Sequence, residues 1–452
     1  MIASLLAGTL ALAAESASVG TPPPVTFNKD VLPVLQKNCQ GCHRPGQIAP
    51  MSFLTYESAR PWAKAMKAAV LSKQMPPWGA DPSVGHFTND RSLKQSELDT
   101  IAKWADSGAP QGDPKDAPAP IQWPADGWQI KPDVVVQGPR FDVPASGIIE
   151  WKWVVIPSPF KEDTWVNSIE IRPSNVAVTH HTCLALGPHK PETVYGKVIW
   201  QNKPRDANGD EIDERKGRGG SAAGVPKGPA PPPDTVAGVL AGTNGIEECY
   251  EPGRPPADYR PYHAAKLIPA GTDIAINYHF TPIGTPVTGA NIAIGFTLAK
   301  EPPQFRYLAL SASAPQDHAR FAIPPNNPNW ESPPADVEFT RDVTLVGLMP
   351  HMHLRGKQMS FELTYPDGRK ERVLNVPHYD FNWQIWYDTW VKIPKGTKMH
   401  IVAHYDNSAN NKFNPNPNKT VYYGDMTWDE MMAPAYGLVV EDKSVDQKMV
   451  IK

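Results

Sequence analysis

The sequence predicts a multidomain chain in which a small all-α domain is followed by two tandem antiparallel β-sandwich domains of the jelly-roll type. Apolar residues recur at helical spacing only before about residue 113, and alternating, β-branched segments follow. The segment Ile268–Thr272 also returns as Ile393–Thr397, each leading to a histidine at the same later position. With 452 residues, 40% apolar and 20% charged, the chain has room for about three globular domains.

Charge and the first residues bear on location and partners. The formal net charge is -3, and lysine and arginine are scattered, so neither nucleic acid nor an anionic membrane is an expected partner. The apolar run Ile2–Ala14 and the small residues after it are typical of a secretory signal peptide, predicted over residues 1–20. The run is too short to span a bilayer. We therefore expect a periplasmic or secreted protein with no stable membrane insertion.

A five-residue motif predicts the first cofactor. Cys39-Gln40-Gly41-Cys42-His43 has the C-x-x-C-H spacing of covalent c-type haem attachment. In such sites the two thiols add to the haem vinyl groups and the histidine ligates iron. A redox dithiol or half of a zinc site would use the same cysteines, but no second ligand pair follows within about a hundred residues.

Three short helices are predicted around this motif. The first begins at Asp30, the second runs from Tyr56 to about Lys73, and the third begins at Ser96. Together with the haem motif, residues 25–113 are similar to a small cytochrome c.

The resemblance requires a second axial iron ligand. Met75 is the preferred candidate, because Met75-Pro76-Pro77-Trp78 is a rigid extended segment that can present a thioether, as the Met-Pro of cytochromes c does. Met51, Met66 and His86 remain alternatives.

The rest of the chain is predicted to be β-structure after a proline-rich linker at 114–144. The two sandwiches are placed at 145–300 and 301–452, and the repeat described above gives one copy to each. The predicted strands include Trp151–Ile156, Trp165–Ile171, Val176–Leu186, Asp273–Phe280, Asn291–Leu298, Phe361–Tyr365, Val391–Ile393 and Lys398–Tyr405.

Histidines are grouped in a way that packing alone does not explain. His180 and His181 are adjacent on a predicted strand, and His279 closes the first copy of the repeat. His351 and His353 are two residues apart, which places both imidazoles on one face if that segment is a strand. Such groupings favour metal binding.

The order of these residues resembles the copper ligands of the ascorbate-dependent type II copper monooxygenases. Peptidylglycine α-hydroxylating monooxygenase and dopamine β-monooxygenase belong to this family. The matching segments are His180-His181, His279-Phe280, Pro350-His351-Met352-His353-Leu354-Arg355-Gly356-Lys357 and Asp429-Glu430-Met431. The resemblance spans both predicted β-domains.

The resemblance implies two copper ions and a catalytic role for the second site. One copper would be held by His180, His181 and His279. The second, O2-activating copper would be held by the catalytic residues His351, His353 and Met431. A thioether favours Cu(I), which suits the site that meets O2. Met431 and its neighbour Met432 could instead be core residues.

The function that follows is hydroxylation of a C–H bond in a small organic substrate by O2. Electrons would come from a periplasmic donor or an ascorbate-like reductant and pass through the fused haem. The alternatives are a haem and copper electron-transfer or metal-handling protein without hydroxylase activity, and a binding sandwich whose histidines are incidental.

The sequence departs from the family at several positions. Met349 stands where the peptide-hydroxylating members carry an arginine that holds the substrate carboxylate, and Ala433 and Ala435 replace their asparagine and tyrosine. A glycine-extended peptide is therefore not the expected substrate. His404 stands where a family cysteine would be and is a further candidate ligand of the second copper.

Two cysteines lie outside the haem motif. Cys183 and Cys249 could form a disulfide in an oxidising compartment, and two free thiols are the alternative.

Overall fold

The computed structural model describes residues 24–201, 206–207, 210, 235–243 and 245–452. The predicted signal peptide and most of the proline-rich stretch 204–233 lie outside the described residues. Within those ranges, no helix combines the length and the apolar composition needed to cross a membrane.

The chain is mostly β-sheet, and the helices of its described part are short. They are α1 (Leu32–Asn38), α2 (Tyr56–Ala59), α3 (Ala63–Leu71), α4 (Gln95–Asp106) and α5 (Val236–Leu240). The predicted fold class is wrong on this point, because residues 25–113 do not form a small all-α cytochrome c domain.

One reason is local. The helix predicted from Tyr56 to Lys73 is interrupted at Arg60–Trp62, which forms a 3-10 turn between α2 and α3. Pro61 has no backbone N–H to donate to the preceding turn, so it interrupts the regular hydrogen-bond ladder. Apolar residues keep helical spacing on both sides of this break, so the sequence pattern gave no sign of it.

The second reason is tertiary. The loop between α3 and α4 does not close on the helices but pairs with strands distant in sequence. The backbone N–H of Asp81 donates to the carbonyl of Asn375 at 2.8 Å, and that of Thr88 donates to the carbonyl of Asp388 at 2.9 Å. The N-terminal segment is therefore docked on the β-region, which helical periodicity cannot reveal.

The strands are short and follow one another closely. The first twelve are β1 (Val134–Gln137), β2 (Phe141–Val143), β3 (Lys152–Pro157), β4 (Thr164–Pro173), β5 (Thr179–Pro188), β6 (Val198–Trp200), β7 (Ile246–Tyr250), β8 (Ala257–Asp258), β9 (Ala264–Ile268), β10 (Thr272–Phe280), β11 (Val287–Ala290) and β12 (Ile292–Leu298). The others are β13 (Phe305–Ser311), β14 (Ala322–Ile323), β15 (Trp330–Glu331), β16 (Ala335–Glu338), β17 (Val343–Met349), β18 (Gly356–Thr364), β19 (Lys370–Val376), β20 (Tyr387–Ile393), β21 (Lys398–Tyr405), β22 (Val421–Tyr422) and β23 (Ala435–Val440).

In the described part of the chain, one nine-stranded sheet runs through both halves of the β-region in the order β1-β12-β4-β9-β13-β23-β17-β20, with β8 beside β4. The halves join where β9 and β13 pair in parallel, with Phe305 opposite Ala264. One five-stranded sheet has the order β6-β3-β10-β5-β7, and another has β15-β21-β18-β19 with β16 beside β21. The pairs β2–β11 and β14–β22 form two small sheets.

Each five-stranded sheet packs on one half of the nine-stranded sheet. In the first half, Ile276 of β10 packs in one apolar cluster with Phe296 of β12. In the second half, Phe361 of β18 shares a cluster with Leu438 of β23. Burial of each such side chain contributes about 1.5–3 kcal/mol to stability. The alternating apolar pattern in the sequence reflects these two cores.

The sequence repeat corresponds to two equivalent corners. Ile268–Thr272 carries the chain from β9 in the long sheet to β10 in the facing sheet, and Ile393–Thr397 does the same between β20 and β21. Gly271 and Gly396 have φ values of +70° and +85°, which a residue with a side chain rarely adopts. The repeat therefore marks a shared backbone turn that positions a histidine-bearing strand.

Candidate metal centres and the adjoining cavity

Three histidines meet where β5 and β10 pair. His279 lies opposite His181 across the two strands, and its Nδ1 is 3.0 Å from Nε2 of His181. Thr179 pairs with Phe280, so His180 is an additional residue between the two pairs, in a β-bulge. A bulge redirects side chains, which allows two consecutive histidines to share one site. The ligand nitrogens of these three residues lie within 4.8 Å of one another.

This cluster has the chemistry of a metal site. Burial, followed by the charges of neighbouring histidines, lowers the pKa of His181 and His279 well below the usual value. The Nδ1 atoms of His180 and His181 are buried without a hydrogen-bond partner among the described residues. Trp151 packs beside the cluster, with its ring centroid 4.7 Å from that of His279. Three neutral imidazoles that converge in this way, two of them with an unpaired Nδ1, fit copper or zinc.

The second pair of histidines lies in a loop, and the expectation of a strand is wrong. β17 ends at Met349, and His351 and His353 follow with ring centroids 5.4 Å apart. Pro350 lacks a backbone N–H and does not continue the strand ladder. The two imidazoles still lie close together, although by loop geometry and not by strand alternation.

The hydrogen bond of His351 fixes which nitrogen is available. Its Nδ1 lies 2.7 Å from Oε1 of Gln384, and an amide oxygen only accepts, so Nδ1 carries the proton. Nε2 is therefore left as the ligand atom, the usual arrangement for a metal-binding histidine. Burial, then the charge of His351, lowers the pKa of His353 to about 3.

Glu430 ties this loop to the segment that carries Met431. Its carboxylate accepts the backbone N–H groups of His353 at 3.0 Å, Arg355 at 2.6 Å and Met431 at 3.3 Å. Burial raises the pKa of Glu430 to about 8, against the opposing effect of Arg355 and of these N–H groups. One buried side chain thus holds together two segments that sequence analysis assigned to one site.

The structure distinguishes the two adjacent methionines. Met432 is fully buried in the core, and the hydroxyl of Ser332 lies 3.2 Å from its sulfur. Met431 is only half-buried. The N–H of Ala433 donates to the carbonyl of His351 at 3.2 Å, so the methionine segment runs beside the histidine loop.

Replacing Gly356 by alanine is expected to disturb the His351–His353 loop. An added Cβ would lie 2.6 Å from Cβ of Met352 and 2.8 Å from the ring of Tyr379. Overpacking of this kind costs about 1–3 kcal/mol. Chemical denaturation should show a loss of this size, and Gly41→Ala, whose added methyl meets nothing within 4 Å, should show little change. Equal stability of the two variants would contradict the tight contact.

The two histidine groups face each other across one aromatic ring. Phe381 lies 5.4 Å from the ring of His180 and 6.0 Å from that of His353, measured between centroids. Burial, then the charge of His351, lowers the pKa of His180, which also indicates proximity. The ring of Phe381 therefore lies against one histidine of each group.

His404 lies elsewhere on the second five-stranded sheet. It sits on β21 opposite Glu331, and its Nε2 is 3.6 Å from the carboxylate of that residue. The equivalence with His279 in the repeat is therefore one of backbone position, and the structure pairs His404 with a carboxylate.

A cavity of about 970 Å³ separates the N-terminal helices from the β-region. This volume is near the upper end of the roughly 300–1,000 Å³ that is usual for ligand sites. Its wall includes Cys39, Cys42, His43, Met51, Met66 and Met75. His86, the other candidate axial ligand, is exposed and is not part of that wall.

The environment of His43 fits iron ligation. Its Nδ1 lies 3.3 Å from the carbonyl of Met51, and its ring stacks on Phe53 at 4.2 Å. A carbonyl only accepts, so Nδ1 holds the proton and Nε2 is free. Burial lowers the pKa of His43 and, as the largest of several causes, raises that of Cys39 to about 12.

The remaining cysteines form a disulfide. Cys183 on β5 and Cys249 on β7 lie opposite each other and are bonded. The bond therefore braces the strand that carries His180 and His181.

Four residues at these sites were not found by sequence analysis. None of them was a candidate ligand or site residue, and each reaches its partner across a long sequence distance: Trp151, Phe381, Gln384 and Glu430. Only Glu430 had a signal, because it directly precedes the candidate ligand Met431.

Comparison with known proteins adds little. The chain matches no protein family, and no curated protein sequence matches it. A structure described as PNGF-II in the P21 space group overlaps 68% of this chain and just under two thirds, 65%, of its own, with 10% identity and a TM-score of 0.27. The structure of the Gx strain of infectious bursal disease virus overlaps 74% of this chain and 78% of its own, with 10% identity and a TM-score of 0.17. Likeness this weak carries no argument about fold or function.

Proposed function

We propose that this protein is a copper-dependent monooxygenase that hydroxylates a C–H bond of a small organic substrate with O2. Electrons would reach it through a covalently attached c-type haem. The observation that carries the proposal is the convergence of three histidine side chains within 4.8 Å. The ring of Phe381 lies beside this cluster and also beside His353 of the second histidine pair. The order of these residues in the chain resembles that of the copper ligands in the type II copper monooxygenases.

Each metal would have its own set of ligands. The first copper would be held by His180, His181 and His279. The second copper would be held by His351, His353 and Met431. All-imidazole ligation suits a metal that passes an electron, and a thioether favours Cu(I). The chain contributes neutral imidazoles, because burial lowers the pKa values of these histidines.

The haem would occupy the large cavity. Cys39 and Cys42 would attach the haem covalently, and His43 and Met75 would hold its iron. The free Nε2 of His43 and the predominantly apolar wall support this assignment.

When bound, these groups supply the electron-transfer and oxygen chemistry by which RH, O2, two electrons and two protons become ROH and water. The chain positions the reactants around them. Glu430 and Gln384 hold the His351–His353 loop through hydrogen bonds. Met349, Ala433 and Ala435 leave no charged group at the positions where family members bind a carboxylate, which favours an apolar substrate.

Location and electron supply follow from the same proposal. A disulfide between Cys183 and Cys249 is typical of an oxidising compartment, which supports a periplasmic or secreted protein. The electron source would then be a periplasmic donor protein or an ascorbate-like reductant.

A second function is favoured by one observation. Phe381 packs against both His180 and His353, so an apolar ring adjoins both histidine groups. A haem and copper electron-transfer protein without hydroxylase activity would have no need for an open substrate site there.

Metal and haem content of protein matured in a periplasm tests the proposal. Elemental analysis, copper EPR and haem absorption should give about two copper ions and one covalent haem per chain. His181→Ala and His351→Ala should each lose one copper. His400→Ala removes an exposed histidine paired with Asp336 and should keep both.

The outcomes distinguish the monooxygenase from the electron-transfer protein. Absence of copper, or zinc in its place, would overturn the monooxygenase proposal. A full complement of copper and haem together with O2 consumption that depends on an added organic substrate would support it. Full cofactor content without a hydroxylated product from a broad panel of apolar compounds would favour the electron-transfer protein.

A further inference from the structure

The loop between β19 and β20 touches every candidate redox site. Its residues Trp383, Gln384, Ile385 and Trp386 form part of the wall of the large cavity. From the same loop, Phe381 reaches the two histidine groups. No motif drew attention to this loop, yet it connects the parts of the molecule that the proposed function requires to exchange electrons.

Gln384 makes the most direct link. Gln384 lines the cavity, and its Oε1 accepts the Nδ1–H of His351 at 2.7 Å. One residue and one hydrogen bond therefore connect the cavity to an imidazole of the second histidine pair. Electronic coupling is carried far better by covalent and hydrogen bonds than across gaps of the same length.

We propose that electrons enter the metal centres at the His351–His353 site, through Gln384, and not at the cluster of His180, His181 and His279. This inference rests on the proposed function. With both groups bound, the step would be the transfer of one electron from ferrous haem to Cu(II) at the His351 site, which would give ferric haem and Cu(I).

A competing route exists on the opposite side of the cavity. Tyr250 lies near Cys42, since burial and then the charge of that thiol raise the pKa of the tyrosine to about 12. Tyr250 pairs with Thr182, the residue after His181. This route crosses between strands and continues along the backbone, so it involves more bonds than the single contact made by Gln384.

Gln384 also has a positioning role. By accepting from Nδ1, it holds the His351 ring in the tautomer that leaves Nε2 free for a metal. Loss of this bond should therefore change the copper spectrum at one site in addition to the transfer rate.

The entry point can be located with protein that carries one copper site at a time. One electron is delivered to the haem of the anaerobic Cu(II)-loaded protein by pulse radiolysis, and the decay of ferrous haem absorbance is followed. The decay should persist in His181→Ala and be lost in His351→Ala. The reverse pattern would overturn the inference.

The route is tested by two further substitutions. Gln384→Leu keeps the approximate size but removes the acceptor, and it should slow the decay by about tenfold or more and alter the EPR signal of the His351 copper. Gln384→Glu, which retains an oxygen acceptor, should restore most of the rate. Tyr250→Phe should leave the rate unchanged.

Failure of this inference is distinguishable from failure of the proposed function. If wild-type protein lacks haem or copper, both fall together. If both cofactors are present and Gln384→Leu transfers electrons as fast as wild type, or if Tyr250→Phe is the slow variant, only the Gln384 route is overturned.

Discussion

Replacing Glu430 by alanine is expected to lower the free energy of unfolding by about 3–5 kcal/mol, because three backbone N–H groups lose their acceptor. Glu430 is fully buried, and Arg355, whose N–H is one of the three, is 2% exposed. The variant leaves the N–H groups of His353, Arg355 and Met431 without their acceptor. Each buried donor left unpaired costs about 1–3 kcal/mol, so a large loss is expected even if the loop relaxes.

The Glu430→Ala substitution should also weaken copper binding at the His351 site. Because Glu430 joins the histidine loop to the methionine segment, copper added to the protein should give a weaker EPR signal at the proposed His351 site, while the signal at the proposed three-histidine site remains. Glu362→Ala is the matched control. Glu362 forms a surface ion pair with Lys370 on the second five-stranded sheet, and such pairs contribute about 0–1 kcal/mol. Similar losses from the two substitutions in urea denaturation would refute the bracing role of Glu430.

The sequence was sufficient for features that depend on local patterns. Alternating apolar residues indicated strands, and a strand is present in each predicted segment. The repeat assigned one copy to each predicted β-domain, and its two copies form equivalent turns in which Gly271 and Gly396 adopt a positive φ that constrains the local sequence. The pairing of His279 with His181 completed a cluster that adjacent histidines had indicated.

Features that depend on long-range packing could not be predicted. The helical spacing near Cys39 indicated an independent all-α domain, but the following loop forms hydrogen bonds to Asn375 and Asp388. Gln384 and Phe381 lie in a loop whose partners are distant in the chain, so a single sequence offered no signal for them. The loop position of His351 was predictable in part, because Pro350 precedes it and interrupts strand pairing.

The disulfide between Cys183 and Cys249 is expected to contribute strongly to stability. It closes a segment with a sequence separation of 66 residues, for which the chain-entropy estimate is about 4 kcal/mol. This segment includes the proline-rich stretch that lies largely outside the described residues. An open chain of that length has much conformational freedom, so removal of the cross-link should favour the unfolded state.

The double variant Cys183→Ala and Cys249→Ala tests this expectation against wild type with and without a reductant. Denaturation should show a loss of about 4 kcal/mol in the variant, and reduced wild type should behave in the same way. Because Cys183 is on the strand that carries His180 and His181, the three-histidine site should also bind copper more weakly, while the His351 site is less affected. If oxidised wild type and the double variant unfold at the same denaturant concentration, the bond does not stabilise the strand, and the pairing of β5 with β7 alone must hold the histidines in place.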